Sequence, residues 1–506
     1  MYDLLLKNGN IITLEESMPK AEWVGVKDGK IEMVGTGQPE SSGKEVIDLE
    51  GSTVLPGLWD AHTHIMTTGH FLQGVNLEKV TCIQDVLDAM EERCQATPSG
   101  EWVFGGGFTS QYIKEYRFPN SRELDSISGD HPMMICSQTL HGVSLNTKAM
   151  DLLDIPDIPG VGKYEDGTFD GTLLTDDAAL SAQAQVMGLL PPGKLEEFIQ
   201  ICTEKAASKG VTTLCGLLGQ FVDGDIDVDI VMQGEFPVDI EVFYQTWDLE
   251  KVKAKGLPRI GGCLTLDGAG FEYTMANMRT YPDKPERRGF LIHKDEEVYN
   301  LISEAHRQNI QTAFHALGER AIDQLLFCYK QVIGEQGNKD LRHRVEHFSL
   351  ASHLHMDMLV EMNLIASMQP AFTAWDLPEG GVYEGMMGRR DADRMERFPD
   401  ILERGGIICG GSDSPVTPID PLYGIANCVR SKNPARNIPV TEALKIFTIN
   451  AAYSVHKENE KGTIKRGKCA DFTIIDRDPY DYADSDEIYD MKVLRTIRRG
   501  ITTYSL

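Results

Sequence analysis

Two histidines, His62 and His64, stand one residue apart in the segment WDAHTHIMTTGH, directly after the apolar run STVLPGL. On an extended backbone the side chains of residues i and i+2 point to the same face, so these two imidazoles can meet one ion. Imidazole nitrogen is a common ligand of zinc and other divalent transition metals. Such a pair also arises by chance, so its interpretation depends on what the rest of the chain supplies.

Three further polar residues follow strand-like apolar runs in the same way. His315 follows IQTAF, His347 follows HRVE and Asp413 follows GIICGGS. Taken alone, His315 and His347 are more simply interpreted as structural histidines, and Asp413 as a loop cap. Their common position favours a metal site, because the carboxyl ends of parallel barrel strands converge on one mouth. Imidazole and carboxylate ligands gathered there would suit a divalent metal, most simply zinc, with iron or manganese as alternatives.

The elements that must position these residues alternate along the middle of the chain. Strand-like runs such as GVTTLCGL, DIEVFYQTW, NIQTAFHAL and NLIASMQP are separated by helix-like stretches such as DEEVYNLISEAHRQN. This alternation predicts an α/β fold with a (β/α)8 TIM-like barrel. The stretch from about residue 66 to 208 is too long for one crossover. We therefore expect a large insertion after the first barrel strand, partly a cap over the barrel mouth.

Both ends of the chain have a different pattern. Residues 1–56 and 461–506 contain short strand-like runs, such as DLLLKNGNIITL near the start and CADFTIIDRDP near the end. Asn-Gly and Asp-Gly between the first runs are hairpin signals. We therefore predict a small β-sandwich domain formed from both termini, around a barrel that spans residues 57–460.

Composition limits the partners of the chain. The 506 residues carry a net charge of −28, which argues against binding to nucleic acid or to anionic membrane surfaces. The first apolar run is too short for a signal peptide, and none reaches the roughly 18 residues of a membrane helix. Ten scattered cysteines without a CxxC pair are typical of reduced thiols in the cytoplasm. The expected partner is a small-molecule substrate.

The segments LPGLWDAHTH, FHALGERAID, RVEH, SMQP and GSDSPV together resemble the amidohydrolase superfamily. Within it they resemble amidohydrolase family 3, the group of the YtcJ-like proteins and N-substituted formamide deformylase. The resemblance covers nearly the whole chain and implies a metal-dependent hydrolase, often dimeric. It implies metal ligands on the first, fifth, sixth and eighth barrel strands, namely His62, His64, His315, His347 and Asp413.

One position departs from the family pattern. Many binuclear members carry a lysine on the fourth strand that is carbamylated and bridges two metals, whereas the segment GGCLTLDGAG has Cys263 at that place. Either the site holds one metal, or the Cys263 thiolate ligates or bridges. A buried, inert cysteine on a barrel strand is the alternative interpretation. The sequence leaves open whether one or two ions are bound.

Substrate contacts are expected from two sources. The segment LHGVSLNTKA resembles a family segment, so His141 and Asn146 are expected to reach the substrate from the insertion. For His141 a loop hydrogen-bonding role is equally open. Trp59 and Trp375 are candidate walls of a partly apolar pocket.

The chemistry that follows is hydrolysis. A bound metal lowers the pKa of water from 15.7 to about 7, and Asp413 is placed to take a proton from the attacking water and return it to the leaving nitrogen. The favoured hypothesis is cleavage of a C–N bond other than a peptide bond, in an amide or an N-acyl or N-formyl amine. A deaminase of a heterocyclic amine and a non-catalytic scaffold are the alternatives, and retention of all four histidines and Asp413 argues against the scaffold.

Overall fold

The centre of the molecule is a sheet of eight parallel strands, each paired with the next along the chain. The computed structural model describes residues 1–39, 41–158, 160–220, 222–375 and 381–506. The strands of this sheet are β1 (Leu58–Thr63), β2 (Val211–Leu218), β3 (Asp239–Tyr244), β4 (Arg259–Thr265), β5 (Gln311–Ala316), β6 (Arg344–His347), β7 (Ile365–Met368) and β8 (Ile407–Gly410).

The first and last strands of the sheet meet through the loop that follows β8. The backbone N–H of Asp413 donates to the carbonyl of His62 at 2.8 Å, and the N–H of His64 donates to the carbonyl of Ser414 at 3.0 Å. The sheet is therefore nearly closed, and the predicted TIM-like parallel barrel is confirmed.

Helices alternate with the barrel strands and bury their apolar faces against them in one large core. The predicted helix in DEEVYNLISEAHRQN runs from Asp295 to Arg307, with three acidic residues in its first turn and an apolar stripe through Val298, Leu301 and Ile302. The other helices after β2 are Ile226–Gln233, Leu249–Ala254, Glu319–Gln336, His353–Glu361, Val382–Met387, Arg389–Ala392, Phe398–Glu403, Pro421–Val429, Val440–Ile446 and Ile449–Ser454. Short 3-10 helices are Ser110–Tyr112, Asp223–Asp225, Pro370–Trp375, Pro434–Arg436 and Asp486–Asp490.

The segment between β1 and β2 folds into helices and a separate six-stranded sheet. Its helices are Ile65–Gln73, Ile83–Ala96, Ser121–Asp125, Thr147–Met150, Asp176–Leu189 and Pro192–Ser208. Its strands are Val75–Asn76, Val103–Phe108, Met133–Ser137, Val143–Leu145, Val161–Lys163 and Phe169–Leu173. Gln138 reaches the β8 loop, where its side-chain amide donates to the carbonyl of Pro415 at 3.1 Å. Gln111 donates to the carbonyl of Phe271 at 2.6 Å, so this segment lies against the barrel mouth.

Strands from both ends of the chain form two further sheets. One contains Tyr2–Lys7, Trp23–Lys27, Lys30–Gly35 and Gly43–Asp48; the other contains Asn10–Ile12, Lys20–Ala21, Thr53–Pro56, Phe472–Ile475, Val493–Arg498 and Ile501–Ser505. Phe472–Ile475 pairs antiparallel with Thr53–Pro56, which joins the two ends of the chain. Leu6 and Val24 of the first sheet share an apolar cluster with Phe472 of the second. The domain boundaries at residues 56 and 461, and the assignment of residues 66–208 as an insertion, stay predictions.

Two expectations drawn from composition can be compared with the fold. Each of the ten cysteines is a free thiol, and eight of them are buried. Among the described residues, no helix has both the length and the apolar character that a membrane span requires. The cytoplasmic location and the homodimer stay predictions.

Candidate metal centre

Six side chains from five barrel strands meet at the carboxyl end of the barrel. They are His62 and His64 at the end of β1, Cys263 on β4, His315 on β5, His347 at the end of β6, and Asp413 after β8. All six are buried. Their ligand atoms lie within 4.8 Å of one another in three overlapping groups: His62, His64 and Cys263; Cys263, His315 and His347; and His62, His347 and Asp413. The structure thus brings together every residue for which a metal-ligand role was predicted.

Asp413 lies between the two histidines of β1. Its Oδ1 atom is 3.2 Å from Nε2 of His62 and 3.2 Å from Nε2 of His64. Burial disfavours the carboxylate, but the positive charge of the nearby imidazoles, that of His62 above all, holds the pKa of Asp413 well below its usual value. Asp413 is therefore ionised, as a carboxylate that takes a proton from water must be.

Cys263 lies beside His315 and His347. Its Sγ atom is 3.6 Å from Nδ1 of His315 and 4.0 Å from Nε2 of His347. Burial opposes the thiolate, but the hydrogen bonds of His315 and His347 lower the pKa of Cys263 well below its usual value. A thiolate at this position is a competent soft-metal ligand.

A glycine pair shapes the strand that carries Cys263. Gly261 and Gly262 have φ angles of 94° and 106°, and the register between β4 and β5 shifts directly after Gly261. A Cβ atom on Gly261 would lie 2.1 Å from the carbonyl oxygen of Ala313. Only glycine fits this bulge, which sets the direction of the thiol that follows.

Two of the imidazoles are oriented by partners outside the cluster. His62 Nδ1 lies 2.6 Å from Oε2 of Glu346, whose Oε1 accepts from Nε of Arg344 at 2.7 Å. His347 Nδ1 lies 2.8 Å from Oε1 of Gln369. Because the Nδ1 atoms face acceptors, they carry protons, and Nε2 is the atom of each ring that faces the cluster and would bind an ion.

Sequence reasoning missed two buried aspartates that support the cluster. Asp267 Oδ1 lies 3.4 Å from Nε2 of His315 and accepts from the backbone N–H of Leu317 at 3.0 Å. Asp60 Oδ1 accepts from the N–H groups of His62 at 3.2 Å and Ser412 at 2.9 Å, which ties β1 to the β8 loop. The position of Asp60 two residues before His62 was the available signal. Asp267 gave the same kind of signal as the ligands, because it follows the run GGCLTL, but its contacts depend on how the loop after β5 folds.

The buried polar atoms of the cluster indicate that a divalent cation would fit it. Nε2 of His62, Nε2 of His315 and Oδ1 of Asp413 are buried and make no hydrogen bond within the described part of the chain. Orphaned buried polar atoms cost free energy, and a cation would satisfy several of them at once. His347 and Asp413 also hold strained φ angles of 70° and 56°, and such strain concentrates at functional sites.

A cavity opens next to the cluster. Among its lining residues are His64, Cys263, His315, His347 and Asp413, together with His141 and Trp375. The ring of His141 lies 5.9 Å from that of His315. Two of the expected substrate contacts, His141 and Trp375, are therefore at the cavity.

The other two expected substrate contacts are not at the cavity. Trp59 is 1% exposed and packs in the barrel interior with Cys215. Asn146 is fully buried and caps a short helix, where its Oδ1 accepts from the N–H of Ala149 at 3.0 Å. Its amide also donates to the carbonyl of His131 at 2.9 Å. Packing and capping occupy these two side chains, so a substrate contact by Trp59 or Asn146 stays a prediction.

A nearly closed parallel barrel with nitrogen, sulfur and oxygen donors at its carboxyl ends is the arrangement of a barrel metallohydrolase. The particular family follows from comparison with known proteins: the chain belongs to the amidohydrolase family, whose model matches residues 45–504. The resemblance seen in the sequence motifs is thereby confirmed.

Relatives match over the full chain. YtcJ of Bacillus subtilis (strain 168) is 26% identical over 540 residues, with 98% of each chain covered. The N-substituted formamide deformylase of Arthrobacter pascens is 27% identical over 549 residues, covering 100% of this chain and 98% of its own. An uncharacterized metal-dependent hydrolase from Pyrococcus furiosus has a similar structure, with a TM-score of 0.76 and 22% identity over 94% of this chain and 99% of its own. That likeness shows the fold.

Proposed function

We propose that the chain hydrolyses a C–N bond other than a peptide bond, in an amide or an N-acyl or N-formyl amine. The observation that carries this proposal is the Asp413 carboxylate, which lies 3.2 Å from Nε2 of both His62 and His64 at the cavity. A carboxylate beside a hydrolytic centre can serve as a base and then as an acid. The formamide deformylase relative supports the type of bond.

The metal centre in this proposal consists of residues already described. His62, His64, His315, His347 and Asp413 hold a divalent ion, and Cys263 is a further ligand on the side of His315. Zinc is favoured because imidazole and thiolate are among its preferred ligands, with iron and manganese as alternatives. When bound, such an ion lowers the pKa of water to about 7 and polarises a carbonyl oxygen.

The remaining steps belong to side chains of the chain itself. Asp413 accepts a proton from the attacking water at its carboxylate and returns that proton to the departing nitrogen. His141 lines the cavity on the side of the segment between β1 and β2, where its ring can hydrogen-bond the substrate. Trp375 also lines the cavity and supplies apolar contact.

A substrate screen tests the proposed reaction. Protein loaded separately with zinc, manganese or iron is incubated with N-formyl amines, N-acyl amines and heterocyclic amines, and the products are separated. We expect an amine together with formate or another carboxylate, loss of turnover with a chelator, and recovery on return of the metal. Ammonia from a heterocyclic amine, without amide cleavage, would replace this proposal with a deaminase.

A further inference from the structure

Strands β2 and β3 supply none of the six candidate metal ligands, but each is followed by a glutamine. Gln220 follows β2 in the run LLGQ, and Gln245 follows β3 in the run FYQ. Gln220 is half-buried and lines the cavity together with His64 and Cys263. Gln245 is 3% exposed, and its side chain contacts that of Gln220. The two amides thus occupy the same kind of strand-end position as the candidate ligands.

The amide of Gln245 has one orientation that suits its surroundings. Its Nε2 atom lies 2.6 Å from Oε1 of Gln220 and 3.4 Å from the carbonyl oxygen of Cys263. A carbonyl oxygen can only accept a hydrogen bond, so the carbonyl of Cys263 requires the nitrogen of the Gln245 amide on that side. The backbone N–H of Gln245 donates to the carbonyl of Leu218 at 2.8 Å, which anchors the residue at the end of β3.

The orientation of the Gln220 amide follows from that of Gln245. Because Gln245 donates, the atom of Gln220 that meets it is Oε1, and Nε2 lies on the other branch of the amide. Among the described residues, Gln245 is the one hydrogen-bond partner of the Gln220 side chain. Gln220 therefore keeps two N–H donors available on a side chain that lines the cavity.

The backbone that leads to Gln220 is held as well. Gly219 has a φ angle of 99°, and a Cβ atom there would lie 2.7 Å from Cε2 of Tyr244, so this position requires glycine. The N–H of Gly219 donates to Oδ2 of Asp227 at 2.9 Å, and Asp227 is itself buried. A donor that is held by its backbone and by a neighbouring amide is preorganised, which lowers the entropic cost of binding a partner.

We infer that Gln220 is a substrate-binding residue whose amide donates a hydrogen bond to an oxygen atom of the group bound at the metal centre, and that Gln245 is a positioning residue that acts through Gln220. The inference rests on the metal centre of the proposed function, because it assigns two further residues to that same site. An amide and the carboxylate formed by its hydrolysis both offer oxygen acceptors to such a donor.

Binding of acetohydroxamate tests the donor role, because this compound binds divalent metals through oxygen atoms and does not have to be hydrolysed. Calorimetry on zinc-loaded protein gives its dissociation constant, and metal content is determined on each sample. Gln220→Glu keeps the shape of the side chain and the hydrogen bond from Gln245 but removes both donors. We expect Gln220→Glu and Gln220→Met to bind the probe about three- to tenfold more weakly than the parent, as loss of one hydrogen bond would predict.

Two results of this measurement would overturn the inference. One is a parental dissociation constant in both Gln220 variants. The other is a metal-replete parent protein that does not bind acetohydroxamate, because the donor would then meet no acceptor at this centre.

A double-mutant cycle tests the positioning role of Gln245. In Gln245→Met the amide of Gln220 is free to turn, so we expect acetohydroxamate to bind about two- to threefold more weakly. Combined with Gln220→Met, the same change should cause no further loss, because its effect passes through the Gln220 amide. Additive losses would show that Gln245 acts only through packing.

Gln324→Met is the control for the loss of a buried glutamine. Gln324 is buried on the helix Glu319–Gln336 and donates to the carbonyl of His293 at 2.8 Å. This variant should bind acetohydroxamate with the parental dissociation constant. A loss equal to that in Gln245→Met would overturn the positioning role.

Failure of the proposed reaction gives a different pattern from failure of this inference. If no amide in the screen is hydrolysed but Gln220→Glu still binds acetohydroxamate more weakly than the parent, C–N cleavage fails and the donor role stands. If an amide is hydrolysed with the same kcat/KM by the parent and by Gln220→Glu, and both bind the probe equally, the reaction stands and the donor role is wrong.

Discussion

The backbone N–H of Asp413 donates to the carbonyl of His62 at 2.8 Å, while its carboxylate oxygen lies 3.2 Å from Nε2 of the same histidine. One residue therefore closes the barrel with its main chain and faces the candidate metal centre with its side chain. Because the backbone contact does not depend on the carboxylate, a change of side chain at this position can be interpreted in terms of chemistry.

Asp413→Asn should reduce turnover while the protein keeps its metal. The amide retains the shape and one oxygen but cannot accept the proton, and groups of this kind contribute about 10²–10⁴-fold to rate. The measurement is kcat/KM with metal content determined on the same sample. Asp420→Asn is the control, since Asp420 caps the helix Pro421–Val429 on the same loop. Near-parental turnover by a metal-replete Asp413→Asn protein would show that another residue transfers the proton.

The strand-end positions could be predicted from the sequence because they depend on local pattern. His315 and His347 each end an apolar run, and the convergence of parallel strands then brings them together. The supporting contacts could not be predicted in the same way. Asp267 reaches His315 from a loop after a different strand, and the cap geometry that occupies Asn146 is set by tertiary contacts. Of the aromatic residues that line the cavity, only Trp375 was a sequence candidate, because Phe271 and Tyr383 reach it from other segments of the chain.

Cys263→Ser should lower metal content by about one equivalent if the thiolate is a ligand, since a hydroxyl is a far poorer ligand for soft metals. Cys215→Ser is the matched control. Cys215 is buried in the same barrel cluster as Cys263, but burial raises the pKa of its thiol to about 12. Elemental analysis of both variants and of the parent protein gives the metal-to-protein ratio of each. An unchanged metal-to-protein ratio in Cys263→Ser would show that the thiol only packs.

Glu346→Gln should weaken metal binding without removing a ligand. Glu346 accepts from Nδ1 of His62 and is held by Arg344, and loss of such a supporting carboxylate typically costs about 10–100-fold in metal affinity. Competition with a chelator of known affinity measures the change. Glu241→Gln breaks a comparable pair with Arg259 on neighbouring strands and serves as the control. Equal metal affinities for the parent protein and Glu346→Gln would show that Glu346 does not support the metal site.

The stability of the fold should fall between pH 6.5 and pH 5, in part because of His343. Its Nδ1 accepts from the N–H of Thr312 at 2.9 Å, and its Nε2 lies 2.9 Å from Nδ1 of His306. Burial, together with the charge of His306, lowers the pKa of His343 to about 3. As the pH falls below 6.5, His343 takes up a proton in the unfolded chain but not in the folded chain. The free energy of unfolding therefore falls by about 1.4 kcal/mol per pH unit between pH 6.5 and pH 5.

His343→Asn should reduce the pH dependence of the free energy of unfolding by the equivalent of about one proton. The amide can accept from Thr312 but does not titrate. Urea unfolding at several pH values gives the slopes. Tyr329→Phe is the control: it removes a hydroxyl 2.9 Å from Oγ1 of Thr312 and should lower stability at every pH by a similar amount. Parallel slopes for parent and His343→Asn would show that His343 does not carry the effect.

The divalent metal content of the purified protein tests the central claim most directly. Elemental analysis after expression in metal-supplemented medium should find about one or two equivalents per chain, as a barrel hydrolase centre requires. His62→Ala should lose metal and activity together, because His62 belongs to two of the three ligand groups. A parent protein that contains no zinc, iron or manganese, and acquires none on soaking, would contradict the account.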